Sequence, residues 1–321
     1  MRIATFNLES FGGRRREEAL SARIAALRPK LERLDADVLC LQEIGAERVG
    51  KTRDFLALEQ LVQGTRYARY ARVATTNDAG TKPRDVHNLV ILSRYPVRAS
   101  RQLLHTYVPA PAVRRVTAEP PEEEPVCVRW DRPVLHATVE PRAGRRLEVI
   151  NLHLRAPLAS AIPGQKESPL VWRTICGWAE GAYLSAVKRA GQAFEARCAI
   201  EELFDADPGA LIVVCGDFNA DGREAALVIL RGAAEETGNP ALALRTLVPI
   251  ERSLPLERRY TVVHAGAKLM LDHVMVSRGM LARFREAAVH NELLSDELFT
   301  YYAGRNDLDS YHAPVVATFD L

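Results

Sequence analysis

Seven polar side chains stand at or just beyond the ends of apolar, strand-like runs, and their types suit oxygen-rich ligands. Asn7 closes RIATFN, Glu43 comes near the end of DVLCLQEI, and His153 closes LEVINLH. Asp217 follows the apolar run Leu211–Cys215 and Gly216, and Asn219 lies two residues further on. Near the C-terminus Asp272 lies at the start of the strand candidate Leu271–Val276, and His312 stands just before Ala313-Pro314. Converging strand ends would bring carboxylates, carboxamides and imidazoles into one pocket. Such oxygens, with no cysteine among them, suit a hard cation such as Mg2+ or Mn2+ better than Zn2+. An Asp that fixes a His tautomer, with the His facing a phosphate oxygen, stabilises charge during phosphoryl transfer. Taken singly, Asp217 and Asn219 read equally well as a helix cap and a turn. The coincidence of several such ends favours a site.

The elements needed to position these residues are legible as hydrophobic patterns. Leu20, Ile24, Leu27, Leu31 and Leu34 alternate spacings of four and three, which predicts a helix. Pro29 inside that pattern predicts a kink or restart. Arg14–Arg16, followed by Glu17 and Glu18, read as a solvated helix start. Phe55, Leu58, Leu61 and Val62 predict a second helix, Tyr67–Val73 an edge strand, and Asn88–Ser93 a core strand. Val134–Val139 and Arg146–His153 read as a hairpin. The Pro- and Gly-containing stretch from Leu154 to Gly181 predicts an irregular insertion around 154–190, before a helix marked by Ala193, Ala196, Ile200 and Phe204. Hairpins mixed with a few helical crossovers imply two stacked, mostly antiparallel sheets with helices outside, in one domain spanning 1–321.

Bulk properties narrow the class. With 47% hydrophobic and 26% charged residues in 321, this is an ordinary globular chain. A net charge of +2 gives no nucleic-acid footprint. No apolar run approaches a membrane span, and a first strand beginning at Arg2 leaves no room for a signal peptide. The five cysteines lack close spacing and argue against a disulfide framework. A monomer in a reducing cytoplasm, without stable membrane insertion, is the expectation.

In this order, TFNLES, DVLCLQE, NLVILSRYP, VINLHL, GDFNA, LDHVMVS and YHAPVVATF resemble the endonuclease/exonuclease/phosphatase superfamily, which includes DNase I, from Asn7 to His312. The resemblance implies a four-layer α/β/β/α sandwich that hydrolyses phosphate esters with a divalent metal. It implies that Asn7 and Glu43 hold the metal, Asp217 orients or deprotonates water, and Asn219 fixes the phosphate or that water. Asp272 would pair with His312, whose imidazole meets the transition-state oxygens, and His153 would flank the phosphate. Asn88 and Arg155 are further expected substrate contacts. The substrate could be a nucleic acid, a lipid headgroup or a phosphorylated small molecule.

One position departs from the family pattern. Tyr311 precedes His312 where the resemblance leads one to expect Asp, and Asp309 is the nearest acid. A weakened, non-catalytic binding module is therefore a competing reading. A second is a P-loop NTPase, because Gly45–Thr52 fits G-x-x-x-x-G-K-T. Against it, Glu47 places a negative charge in the cradle, and Asn7, His153, Asn219 and His312 are left without a role.

Overall fold

The structure is a computed structural model and describes residues 1–13, 17–302 and 308–321. Arg14–Arg16 lie outside the described residues. In chain order the main strands are β1 (Arg2–Phe11), β2 (Val38–Ile44), β3 (Ala71–Ala74), β4 (Asn88–Ser93), β5 (Val97–Leu103) and β6 (Val134–Arg142). They continue with β7 (Arg145–His153), β8 (Ile212–Asp217), β9 (Val248–Pro249), β10 (Asp272–Val276), β11 (Phe284–Val289) and β12 (Val315–Phe319). One sheet has the order β11-β12-β1-β2-β4-β3 and the other β9-β10-β8-β7-β6-β5.

Alternation along β1 sets the layering. Ile3 packs between the two sheets, whereas Ala4, Phe6 and Leu8 pack outward against helices. The outer layer on that side comes from α1 (Glu17–Leu34) and α2 (Leu56–Val62), through Leu27, Leu31, Leu58 and Leu61. On the other sheet α3 (Ile175–Ala206) and α4 (Ala225–Arg231) bury Ala196, Ile200, Phe204 and Leu227. The expected four layers are present.

Each sheet holds one parallel pair, β1–β2 and β7–β8, and its other pairs are antiparallel. A parallel pair needs a crossover, and α1 and α3 supply them. The carboxyl ends of both parallel pairs carry the candidate site. Beneath them a polar seam joins the sheets: Gln42 Nε2 donates to Asn151 Oδ1 at 2.7 Å and to Thr5 Oγ1 at 3.0 Å.

Four local readings are corrected. Helix α1 runs through Pro29 without a break in its assigned span. Arg66–Arg69 is a 3-10 turn, so the strand near Tyr67 begins only at Ala71. Gly45–Thr52 does not cradle phosphate: Glu47–Val49 and Thr52–Asp54 form a hairpin, and the Glu47 carboxylate accepts the Gly13 N–H. That removes the NTPase reading. Finally, α3 starts at Ile175, well inside the expected insertion, capped by Thr174 Oγ1 on the Gly177 N–H at 2.9 Å. Glycine in this stretch marks close packing instead of irregularity: a Cβ on Gly191 would lie 2.2 Å from the Trp130 ring. Among the described residues, no helix is long and apolar enough to cross a membrane.

Candidate active site

Strand register places three of the expected side chains in one row. His153 on β7 pairs with Asp217 on β8, which pairs with Asp272 on β10. Gly216 turns the chain into position at φ +139°, where a Cβ would sit 1.9 Å from Leu152 O. Asp217 then uses its two oxygens differently. Oδ1 accepts the Asn219 backbone N–H at 2.8 Å, a turn-forming bond. Oδ2 faces the site and meets Asn7 Nδ2 at 2.9 Å, Asn219 Nδ2 at 3.2 Å, His153 Nε2 at 3.3 Å and His312 Nε2 at 4.0 Å.

The other sheet contributes Asn7 and Glu43. Glu43 sits at φ +60°, where the β2–β4 register shifts between Leu41 and Ile44. Its Oε1 lies 3.4 Å from Asn7 Nδ2 and 3.8 Å from His153 Nε2, while Oε2 accepts the Ser10 N–H at 2.8 Å. His312 Nδ1 and Asp272 Oδ2 are 2.7 Å apart. The loop carrying His312 is pinned by Ser310 Oγ, which donates to Asn7 O at 2.7 Å and accepts the His312 N–H at 3.1 Å. Non-glycine residues with positive φ gather here: Glu9, Ser10, Glu43, His87 and Asn219. Such strain persists where surrounding contacts over-determine the backbone.

Burial and mutual charge set the proton inventory. Burial pushes the Asp217 carboxyl up to about 7, against the field of His312. Burial opposes protonation of His312, but Asp272 and Asp217 outweigh it and push the imidazole up to about 10. His153 is held well below its ordinary value by burial and then by Arg132, so it is neutral. Burial works to raise Glu43, yet the approach of His87 and the charges of His153 and Arg132 hold it below the usual carboxylate range.

Three residues at the site had no strand-end signal in the sequence. Glu9 accepts the Tyr311 N–H at 2.9 Å, and its carboxyl is raised by burial beside His312 and Glu43. His87 Nδ1 lies 3.6 Å from Glu43 Oε2. Arg132 is half-buried, its charge reaches Glu43 and Asp217, and NH1 bonds Leu154 O at 3.4 Å. Two expected substrate contacts take other work. Asn88 is fully buried, and its amide donates to Ile44 O and Arg84 O, which locks the loop before β4. Arg155 NH1 pairs with Asp131 at 3.2 Å, and NH2 bonds Leu158 O. Asp309 pairs with Lys30, so it does not stand in for the acid expected before His312.

Two groups of donors lie close enough together for a hard divalent cation, the first only once His312 gives up its Nε2 proton. Asp217, Asp272 and His312 offer ligand atoms within 4.8 Å of one another, and buried Asp272 Oδ1 has no hydrogen-bond partner among the described residues. The second place is Glu43 with Asn7. There Asn7 turns its amide nitrogen to the carboxylates, while Oδ1 accepts the Glu9 N–H at 2.9 Å. Holding a cation through Oδ1 requires that carboxamide to turn over.

Comparison with known proteins identifies the family. A family model described as Endonuclease/Exonuclease/phosphatase family matches residues 4–296. No curated protein matches the sequence. Among solved structures, humanized D. rerio TDP2 is 16% identical with a TM-score of 0.58, covering 100% of this chain and 99% of that one. The 3' phosphatase NExo from Neisseria, bound to product DNA hairpin, is 20% identical with a TM-score of 0.52, covering 100% of both chains. An AP endonuclease from Archaeoglobus fulgidus is 17% identical with a TM-score of 0.54, also covering 100% of both. At these identities the structural likeness speaks for the fold alone, whereas the family match spans nearly the whole sequence. The chain belongs to the Endonuclease/Exonuclease/phosphatase family and is a phosphate-ester hydrolase with a DNase I-like fold.

Proposed function

We propose that the protein hydrolyses a phosphodiester or phosphomonoester in a divalent-metal-dependent reaction, with Asp217 orienting and deprotonating the attacking water. The observation that carries this reading is the crowding of donors on one oxygen, Asp217 Oδ2, at the meeting of the two sheets. Held near neutrality by burial, that carboxylate can take a proton from water at ordinary pH. His312, kept charged by Asp272, presents Nε2 to developing oxyanion charge. Neutral His153 offers Nε2 on the neighbouring strand, and Asn219 fixes the phosphate or the water. Arg132 adds a fixed cation beside them.

Glu43 and Asn7, joined by Glu9, are the residues that would hold Mg2+ or Mn2+, ionised Glu43 first. Such an ion, when bound, polarises the phosphate and offsets its charge. Tyr311 supports Glu9 through its backbone N–H.

DNA ends are the first substrates to try, because the NExo neighbour is a 3' phosphatase bound to product DNA hairpin. Lipid headgroups and phosphorylated small molecules are the other classes. The test is turnover of bis-p-nitrophenyl phosphate with Mg2+ or Mn2+ and with EDTA, followed by a screen of DNA, RNA and phosphorylated small molecules. Hydrolysis that EDTA leaves intact would remove the metal from this account.

A further inference from the structure

A cavity of about 480 Å³ opens between the loop carrying Asp78 and Arg84, the segment ending at Trp130–Asp131, and α3. Chain continuity ties it to the site. Asp131 directly precedes Arg132, whose charge reaches Glu43 and Asp217, and Arg84 lies on the short loop that ends at His87. Arg132 and Asn219 also share one acceptor, Leu154 O, next to His153.

The lining is cationic beyond its own neutralisation. Arg84, Arg115, Arg129 and Lys188 face Asp78 and Asp131. Arg84 pairs with Asp78 at 3.5 Å, and Arg115 pairs with Glu122. Asp131 alone serves two cations, Lys188 at 2.8 Å and Arg155 at 3.2 Å. Arg129 is exposed and has no ion pair among the described residues. After these pairings the cavity keeps an excess of positive charge, in a chain whose total is only +2.

The walls are preformed. Trp130 is 5% exposed, its ring centroid lies 4.5 Å from that of His105, and its backbone N–H donates to His105 Nε2 at 3.1 Å. The indole fills the space above Gly191, where a Cβ would lie 2.2 Å from the ring. A fixed wall beside Arg129 lets its guanidinium meet an oxyanion without reorganising the backbone.

We propose that this cavity is a second anion subsite that takes a further phosphate group of the substrate. The assignment rests on the phosphoesterase reading above. Two sources carry that chemistry: the neighbouring phosphate of a nucleic-acid strand, or a second phosphate on a small phosphorylated molecule.

Calorimetry on EDTA-treated protein separates them, using thymidine monophosphate against a short thymidine oligonucleotide, and inositol monophosphate against an inositol bisphosphate. The expected result is that at least one multiply phosphorylated probe binds about tenfold more tightly than its monophosphate. R129E should abolish that gain and leave monophosphate affinity unchanged, while R129K should keep most of it. The pair that shows the gain identifies the source. If neither pair shows a gain, or the gain survives R129E, the subsite is refuted. Turnover of bis-p-nitrophenyl phosphate is the separate check on the reacting centre, because that compound carries one phosphate. Its absence would sink the hydrolase reading while leaving the binding comparison intact.

Discussion

Gln42 and Asn151 join the two sheets directly beneath the site, Nε2 to Oδ1 at 2.7 Å, with both side chains fully buried. Asn151 also donates to Leu41 O and Val90 O, each at 3.1 Å. His153 lies two residues further along β7 and Glu43 follows Gln42, so this seam sets the spacing between the halves of the site. Asn151→Ala leaves buried partners unsatisfied and should cost about 2–4 kcal/mol of stability in urea unfolding. An unchanged urea midpoint would show that the seam is dispensable.

His273 and Glu251 support the loop that carries Asp217 and Asn219. His273 Nδ1 lies 2.6 Å from Glu251 Oε1, Nε2 lies 2.9 Å from Ala220 O, and its ring packs 5.1 Å from Phe218. Burial opposes protonation of His273, but the Glu251 carboxylate outweighs it, and the imidazole is raised. Glu251→Gln should therefore lower stability by about 1–3 kcal/mol. Proton NMR of the His273 ring should show its titration displaced to lower pH, and an unmoved titration would count against the pairing.

Stability of the metal-free protein should depend on pH through His312 and Asp217 in different windows. His312 titrates at about 10 in the fold against an ordinary 6.5, so the folded state binds that proton more tightly. Its contribution is complete below the ordinary value and is lost as pH rises through about 10. His312→Gln should flatten that alkaline loss in denaturant melts. Asp217 works in an acid window: its carboxyl is raised from 3.8 to about 7, so the unfolded chain releases the proton first. Stability should fall as pH rises between those values, and Asp217→Asn should remove that fall.

Asn7, Glu43, His153 and Asp217 were legible in the sequence because each follows an apolar, buried run, which leaves the polar residue conspicuous. Asn7, Glu43, His153, Asp217, Asn219, Asp272 and His312 do gather in one place. Glu9, His87 and Arg132 were not legible, since what brings them in is a positive-φ turn, a clamped loop and the irregular segment just before β6. Asn88 illustrates the converse: its polar type at a strand start suggested a ligand contact, and the three-dimensional loop shows its amide donating to Ile44 O and Arg84 O. The G-x-x-x-x-G-K-T string failed for a similar reason, because Gly50 serves a hairpin turn. For Asp217 the two local readings were not rivals: Oδ1 makes the turn and Oδ2 faces the site.

That division of labour allows the central claim to be tested with one substitution. Asp217→Asn keeps the size of the side chain and an oxygen for the Asn219 N–H, but it cannot accept a proton from water. Steady-state turnover of bis-p-nitrophenyl phosphate with Mg2+ or Mn2+ should fall by about 10³-fold. The urea midpoint at pH 7 should hold or rise, because a buried carboxylate has been neutralised. Turnover remaining within about twofold of the unsubstituted protein, with the fold intact, would contradict the role assigned to Asp217.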